Sequence, residues 1–442
     1  MVTDKYAIVG AGFCGLGVAA AFKRHGILYD QFEADDDVGG NWYHGVYDTV
    51  HIISSRKTTQ YSDWPMPDHW PDFPSKDQML AYLREYADHW KLRPNIAFST
   101  RVEHIRPVED SCWEIALDSG ERRVYGGVVV CNGDHWDRRM PSYPGHFSGQ
   151  IIHSKDYRRP DILAGKKVLV IGGGNSACDI AVEAARFAKG AHISMRRGYW
   201  FMPKTMFGVP TIELLKPWMP VFAQRVFIKT MLRAIVGRYE SYGLDHPDHD
   251  VFEKHPTINT ELLHFLRHGR VIPHNDISRY DGSWVEFKDG SREQFDLIIC
   301  ATGYHVSFPF MANGVVTWNR DGMPNLITGM LPPAYKNIYF FGTSQPRYGA
   351  GPLISAGAEA LCTMVGVQKM LTHPLGAVLE RLGEKPPKSW LQDPHRVLRA
   401  VSRAQKFMPR LPALEKDIMS PVNKGRSRLA TLRHLARMIA SG

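Results

Sequence analysis

Two glycine-rich turns, each set between an apolar strand and an apolar helix, constrain this chain more than any other feature. Tyr6 to Val9 read as a buried strand, and Gly10, Gly12 and Gly15 follow in a Gly-x-Gly-x-x-Gly pattern. An Ala-rich helix to about His25 and a second strand, Tyr29 to Phe32, complete a βαβ unit. In such a unit the glycines make a tight turn and let a pyrophosphate approach the helix N-terminus, where the amides of Phe13 and Cys14 are unpaired. Glu33 closes the second strand 23 positions after Gly10, near the offset at which an acid receives ribose hydroxyls.

The arrangement recurs in mid-chain. Lys167 to Ile171 read as a strand, Gly172 to Ala177 as the turn, with Gly174, Asn175 and Ser176 inside it, and 178–188 as an amphipathic helix carrying Asp179 on its first turn. The next strand, His192 to Met195, ends not in an acid but in Arg196 and Arg197. An acid would repel a ribose 2'-phosphate, whereas two guanidiniums pair with it, so this half is expected to prefer NADP(H). A later element repeats too: Gly120 leads through an apolar strand to Gly133, and Gly290 leads through another to Gly303, a spacing of 13 in both. The chain therefore reads as α/β, with two Rossmann-like dinucleotide-binding domains, the second inserted into the first. Residues 134–166, rich in Pro and Gly, read as a linker between them.

Composition narrows the class. With 442 residues, 44% hydrophobic and 22% charged, the chain is an ordinary globular protein and not a disordered one. Its six cysteines lack a Cys-x-x-Cys pair, which removes a dithiol centre and a disulfide reductase, and no metal is expected, His246 and His249 included. The net charge of +9 suits nucleic acid, a membrane surface or anionic cofactors equally, so the motifs must choose, and no nucleic-acid partner is expected. A cytoplasmic setting follows from the cysteine usage. Two basic amphipathic stretches, 221–238 and 424–439, keep peripheral membrane contact open beside the more frequent use of such helices, packing on the protein's own body or on a second subunit. Gly349 to Pro352 open an apolar helix over about 353–371, whose N-terminus suits either negative charge or simple capping.

At these residues the chain resembles the flavin-containing monooxygenase family. Phe147 to Tyr157 fit that family's pattern Phe-x-Gly-x-x-x-His-x-x-x-Tyr or Phe, with Gly149 and His153 in place. In the sister Baeyer-Villiger enzymes the last aromatic is typically Trp followed by Pro, so Tyr157 favours the heteroatom-oxidising branch. Further matches are Gly39-Gly40-Asn41-Trp42, Ser54-Ser55-Arg56-Lys57 and Ala301-Thr302-Gly303-Tyr304.

The resemblance implies an FAD-binding domain over 1–163 with the linker, an NADPH-binding domain over 164–299, and a return to the FAD domain with a helical extension over 300–442. It implies that NADPH reduces FAD, that reduced flavin captures dioxygen as a hydroperoxide, and that a soft nucleophile on a small lipophilic substrate takes one oxygen. Gly10, Gly12, Phe13, Cys14, Gly15 and Glu33 are then expected at FAD, with Asn41, Trp42 and Ser54 along the flavin and Val102 at the adenine. Gly172, Gly174, Asn175, Ser176, Asp179, Arg196, Arg197 and Thr302 complete the cofactor contacts. No catalytic side chain is assigned, because the cofactor carries the chemistry. One position departs from the family: Ile53 stands where an Asn is usual before Ser-Ser, which removes an amide that protects oxygenated flavin. Rival readings are a ketone monooxygenase, an NADPH oxidase releasing hydrogen peroxide, and a flavin-bearing membrane adaptor without turnover. Monomer and homodimer are both open.

Overall fold

The computed structural model describes residues 4–216 and 218–420. Its first unit is built on β1 (Tyr6–Val9), α1 (Phe13–Arg24), β2 (Tyr29–Phe32), β3 (Ile96–Ala97) and β4 (Gly127–Val130). These strands are parallel, and a fifth, Ile338–Phe340, joins the free side of β4. Both faces of the sheet are covered, which is why β1 is apolar throughout. Tyr6 and Ile8 pack with α1 and the helix Lys76–His89, while Ala7 and Val9 pack against an antiparallel meander of Val102–Pro107, Trp113–Leu117 and Arg122–Tyr125.

The second unit repeats the plan with β5 (Gln150–His153), β6 (Lys167–Ile171), α2 (Asn175–Phe187), β7 (Gly190–Ser194), α3 (Val221–Ile235), β8 (Ile272–His274) and β9 (Leu297–Cys300). The parallel order is β5-β9-β6-β7-β8. Val168 and Val170 face α2, and Leu169 and Ile171 face a second sheet made by Gly145–Phe147, Ile277–Gly282, Trp284–Phe287 and Arg292–Gln294. The same alternation along β1 and β6 is the structural form of the internal repeat.

Three readings change. The helix expected over 178–188 begins at Asn175, because Gly174 is already its N-cap. The segment read as a connecting linker supplies strands to the second unit, Gly145–Phe147 beside Tyr280 to Gly282 and β5 beside β9. That pairing joins Gln150 to Leu297 and leaves no local periodicity to read. On α3 the buried residues are Gln224, Ile228 and Leu232; Phe222 is exposed and Arg225 and Lys229 both reach Asp250, so its basic stripe is partly neutralised.

The chain then returns through β10 (Ile338–Phe340) to α4 (Gly351–Met370) and α5 (Pro394–Phe407), which pack together. Asp393 caps α5 by accepting from the Arg396 amide at 3.0 Å. The helix expected over 424–439 lies outside the described residues. Among those described, no helix is long and apolar enough to cross a membrane.

Candidate functional site

Backbone presses on the first glycine turn at Gly10 and Gly15. Gly10 has φ +99°, and a Cβ there would fall 2.6 Å from the Cys131 carbonyl oxygen at the end of β4. A side chain at Gly15 would meet the Gly10 carbonyl oxygen at 2.0 Å. Gly12 is the N-cap of α1 and offers no side-chain cap, so the first amides of the helix, Phe13 and Cys14 among them, are open to an anion. Glu33 sits beside this turn: its carboxylate accepts from the Ala11 amide at 2.6 Å and the Asp35 amide at 3.1 Å. Burial pushes its pKa up, with the two amide bonds opposing.

This turn opens into a cavity of about 2500 Å³. Gly10, Gly12, Phe13, Cys14 and Glu33 line it, as do Asn41, Trp42 and Val102. Ile53 lines it too, at the position where the family pattern has an amide. Ser54 does not; its hydroxyl is hydrogen-bonded to that of Thr59 at 2.6 Å. A residue unmarked by sequence reasoning joins the wall. Lys155 donates to Asn41 Oδ1 and to the His135 carbonyl, each at 3.0 Å, and burial lowers its pKa to about 8. Its place two residues after His153 was the available signal.

The second turn repeats the first. Gly172 has φ +133°, and a Cβ there would fall 2.4 Å from the Ala301 carbonyl oxygen, just past the end of β9. Gly174 caps α2 without a side chain, leaving its first amides open. Asn175 lines the large cavity and accepts from the Ile258 amide at 2.7 Å. Tyr199 lies against Gly173, and the Arg197 guanidinium lies over the Tyr199 ring at 5.3 Å. Arg197 is half-buried, with its Nε lacking a partner among the described residues, whereas Arg196 is exposed. Thr302 is apart from the large cavity and donates to the Arg139 carbonyl.

Asp179 is not on the first turn of α2 but on the second, and is engaged by protein on both oxygens: Tyr47 and Asn259 each donate to it at 2.7 Å. Ser176 also bonds to Tyr47. One turn further on, Glu183 accepts from Thr49 and from Tyr157, each at 2.5 Å. Tyr47 and Thr49 lie more than a hundred residues before α2, and Tyr47 shares its buried cluster, so these carboxylates tie that distant segment to α2. His153 is buried; its Nδ1 accepts from the Lys155 amide and its Nε2 lies 3.0 Å from the Gly303 carbonyl. That pattern fixes a neutral ring with the proton on Nε2, in keeping with its lowered pKa, whose main cause is burial.

Residues 3–343 match the family described as FMO-like, flavin-binding monooxygenase-like. The chain belongs to this family. Flavin-containing monooxygenase 5 of Oryctolagus cuniculus is 34% identical over 423 residues, covering 87% of this chain and 79% of the relative. Dimethylaniline monooxygenase [N-oxide-forming] 2 of the same organism is 30% identical over 412 residues, covering 84% and 76%. Among solved structures, OTEMO in complex with FAD and NADP shares the fold, with a TM-score of 0.70 at 19% identity over 92% of this chain and 98% of that one. This flavin monooxygenase is an NADPH-dependent oxidoreductase whose cofactors are FAD and NADPH. The residues present suit both groups: two turns that exclude side chains, two uncapped helix starts, and an unpartnered buried nitrogen on Arg197.

Proposed function

We propose that this flavin monooxygenase transfers one oxygen atom to nitrogen or sulfur of lipophilic substrates. NADPH supplies two electrons; the second oxygen atom leaves as water. Tyr157 carries the choice of branch: the motif ends in Tyr, as in the heteroatom-oxidising pattern, and not in the Trp-Pro of the Baeyer-Villiger one. The N-oxide-forming relative supports the same reading. Product analysis with a thioether and a cyclic ketone tests it; sulfoxide is expected, and ester as the main product would overturn it.

In this reading Gly10, Gly12, Phe13, Cys14 and Gly15 hold the FAD pyrophosphate, Glu33 the ribose, Val102 the adenine, and Asn41 and Trp42 the flavin side. Gly172, Gly174, Asn175 and Ser176 hold NADPH, and Arg197, with Arg196 outside it, takes the 2'-phosphate. The 164–299 segment acts as the NADPH domain, completed by strands from 145–153. Asp179 and Glu183 are positioning residues between the domains. When bound, FAD supplies the electron transfer and oxygen activation. The chain binds, orients and excludes water, with Trp42 and Ile53 as apolar wall. Peripheral contact with a membrane is supported by the exposed Phe222 and Val226 beside Arg233 on α3, and cosedimentation with anionic vesicles tests it.

Ile53 supports a second reading, an oxidase that releases hydrogen peroxide. An isoleucine donates no hydrogen bond where the family pattern has an amide.

A further inference from the structure

The cavity has a wall that the cofactor assignments leave unused. α4 contributes Leu353, Gly357, Ala360 and Met364, and their spacing of four, three and four puts them on one face. α5 packs on α4 and lines the same cavity with Val397, Val401 and Ala404, so the wall is an apolar stripe on two helices.

The charge that α5 itself brings to the cavity has one sign. α5 has no acidic residue, and Arg396, Arg399 and Arg403 all line the cavity, as does Lys388 before the helix. Asp393, the carboxylate at the start of α5, is already spent on the buried Arg347 and on the Arg396 amide. Glu384 also has a partner. Among the described residues Arg396, Arg403 and Lys388 have no ion pair. Arg347 adds a fixed charge behind them: its side chain is 4% exposed, its guanidinium lies over Phe252 at 4.8 Å, and its buried Nε has no hydrogen-bond partner among the described residues.

We infer that the α4–α5 wall is a subsite for a lipophilic anion, a carboxylate or comparable acid on an apolar chain or ring, held by Arg396 and Arg403. Guanidinium pairs with carboxylate in two parallel hydrogen bonds, and cations lining a cavity with apolar walls raise the local concentration of anions. The inference deepens the proposed function and rests on it for one point only, that the bound anion carries the nitrogen or sulfur to be oxygenated. A phosphate of FAD is the other anion these arginines could serve.

Binding of 6-phenylhexanoate and of 6-phenylhexan-1-ol to the FAD-loaded enzyme tests the subsite, read by tryptophan fluorescence, since Trp390 lines the cavity. Neither ligand can be oxygenated at nitrogen or sulfur, so failure of the parent reading leaves this result intact. The acid is expected to bind about tenfold more tightly than the alcohol. The R396Q/R403Q double variant should bring that ratio to about one with its flavin content unchanged, and R403K, which keeps the charge, should preserve most of it. Equal binding of acid and alcohol by the wild type would overturn the subsite. Loss of FAD from R396Q/R403Q would overturn it as well and give the arginines to the cofactor. Oxidation of 6-(phenylthio)hexanoate to its sulfoxide then tests the parent reading separately.

Discussion

The Tyr157 hydroxyl donates to Glu183 Oε2 at 2.5 Å, joining the last residue of the family's identifying motif to the helix that opens the second glycine turn. Thr49 holds the other oxygen of the same carboxylate, and Tyr47 holds Asp179 one turn earlier. The motif thus ends on a clamp that ties α2 to Tyr157 and to residues 47–49. Tyr157→Phe should lower stability by about 1–3 kcal/mol, because Glu183 keeps its burial and loses a donor. Urea unfolding of the two proteins measures the difference, and equal midpoints would contradict the clamp.

The two glycine turns should separate by function. Gly10→Ala forces a side chain onto the Cys131 carbonyl, and Gly172→Ala forces one onto the Ala301 carbonyl. Gly10→Ala is expected to purify with depleted flavin. Gly172→Ala is expected to remain yellow and to be reduced slowly by NADPH. Flavin absorbance and anaerobic NADPH reduction read the two effects, and flavin loss from Gly172→Ala alone would reverse the assignment.

Arg197 should set the preference between the two nicotinamide cofactors. Arg197→Ala removes a charge-assisted contact of about 1.5–3 kcal/mol from the 2'-phosphate. KM for NADPH should then rise about tenfold or more, with little change for NADH, which lacks that phosphate. Steady-state kinetics with both cofactors decides, and a parallel rise in the two KM values would assign Arg197 to structure.

Lys155 loses its charge in the range where the enzyme is easily assayed, because burial holds its pKa at about 8. Its folded pKa lies below the unfolded value of roughly 10.4, so the unfolded chain binds more protons between these values. The contribution of this group to stability therefore rises as pH rises from about 8 to about 10 and is lost on the way down. Binding of the anionic FAD should move the opposite way, weakening as pH rises through about 8. Lys155→Met should flatten both steps; equilibrium dialysis of FAD and thermal melts across pH 7–10 check them.

Much of this architecture is legible in the chain because the signals are local. β1, α1, β2 and β6 each announce themselves by apolar runs and glycines within a few residues, and Gly10 and Gly172 occupy equivalent places against the carbonyls of Cys131 and Ala301. What escapes the sequence is long-range. β5 finds its partner in β9, Tyr47 finds Asp179, and Lys155 finds Asn41, each more than a hundred residues away along the chain. Ser54 escapes through a local contact: its hydroxyl bonds to that of Thr59, five residues on, and Ser54 does not line the cavity.

Ile53 makes coupling the decisive quantity. The central claim is that reducing equivalents from NADPH end in oxygenated product, so the sulfoxide and the hydrogen peroxide formed per NADPH consumed should be measured together with a lipophilic thioether. About one sulfoxide per NADPH, with little peroxide, is the predicted result. About one peroxide per NADPH, with or without the thioether, would contradict it and make the chain an oxidase.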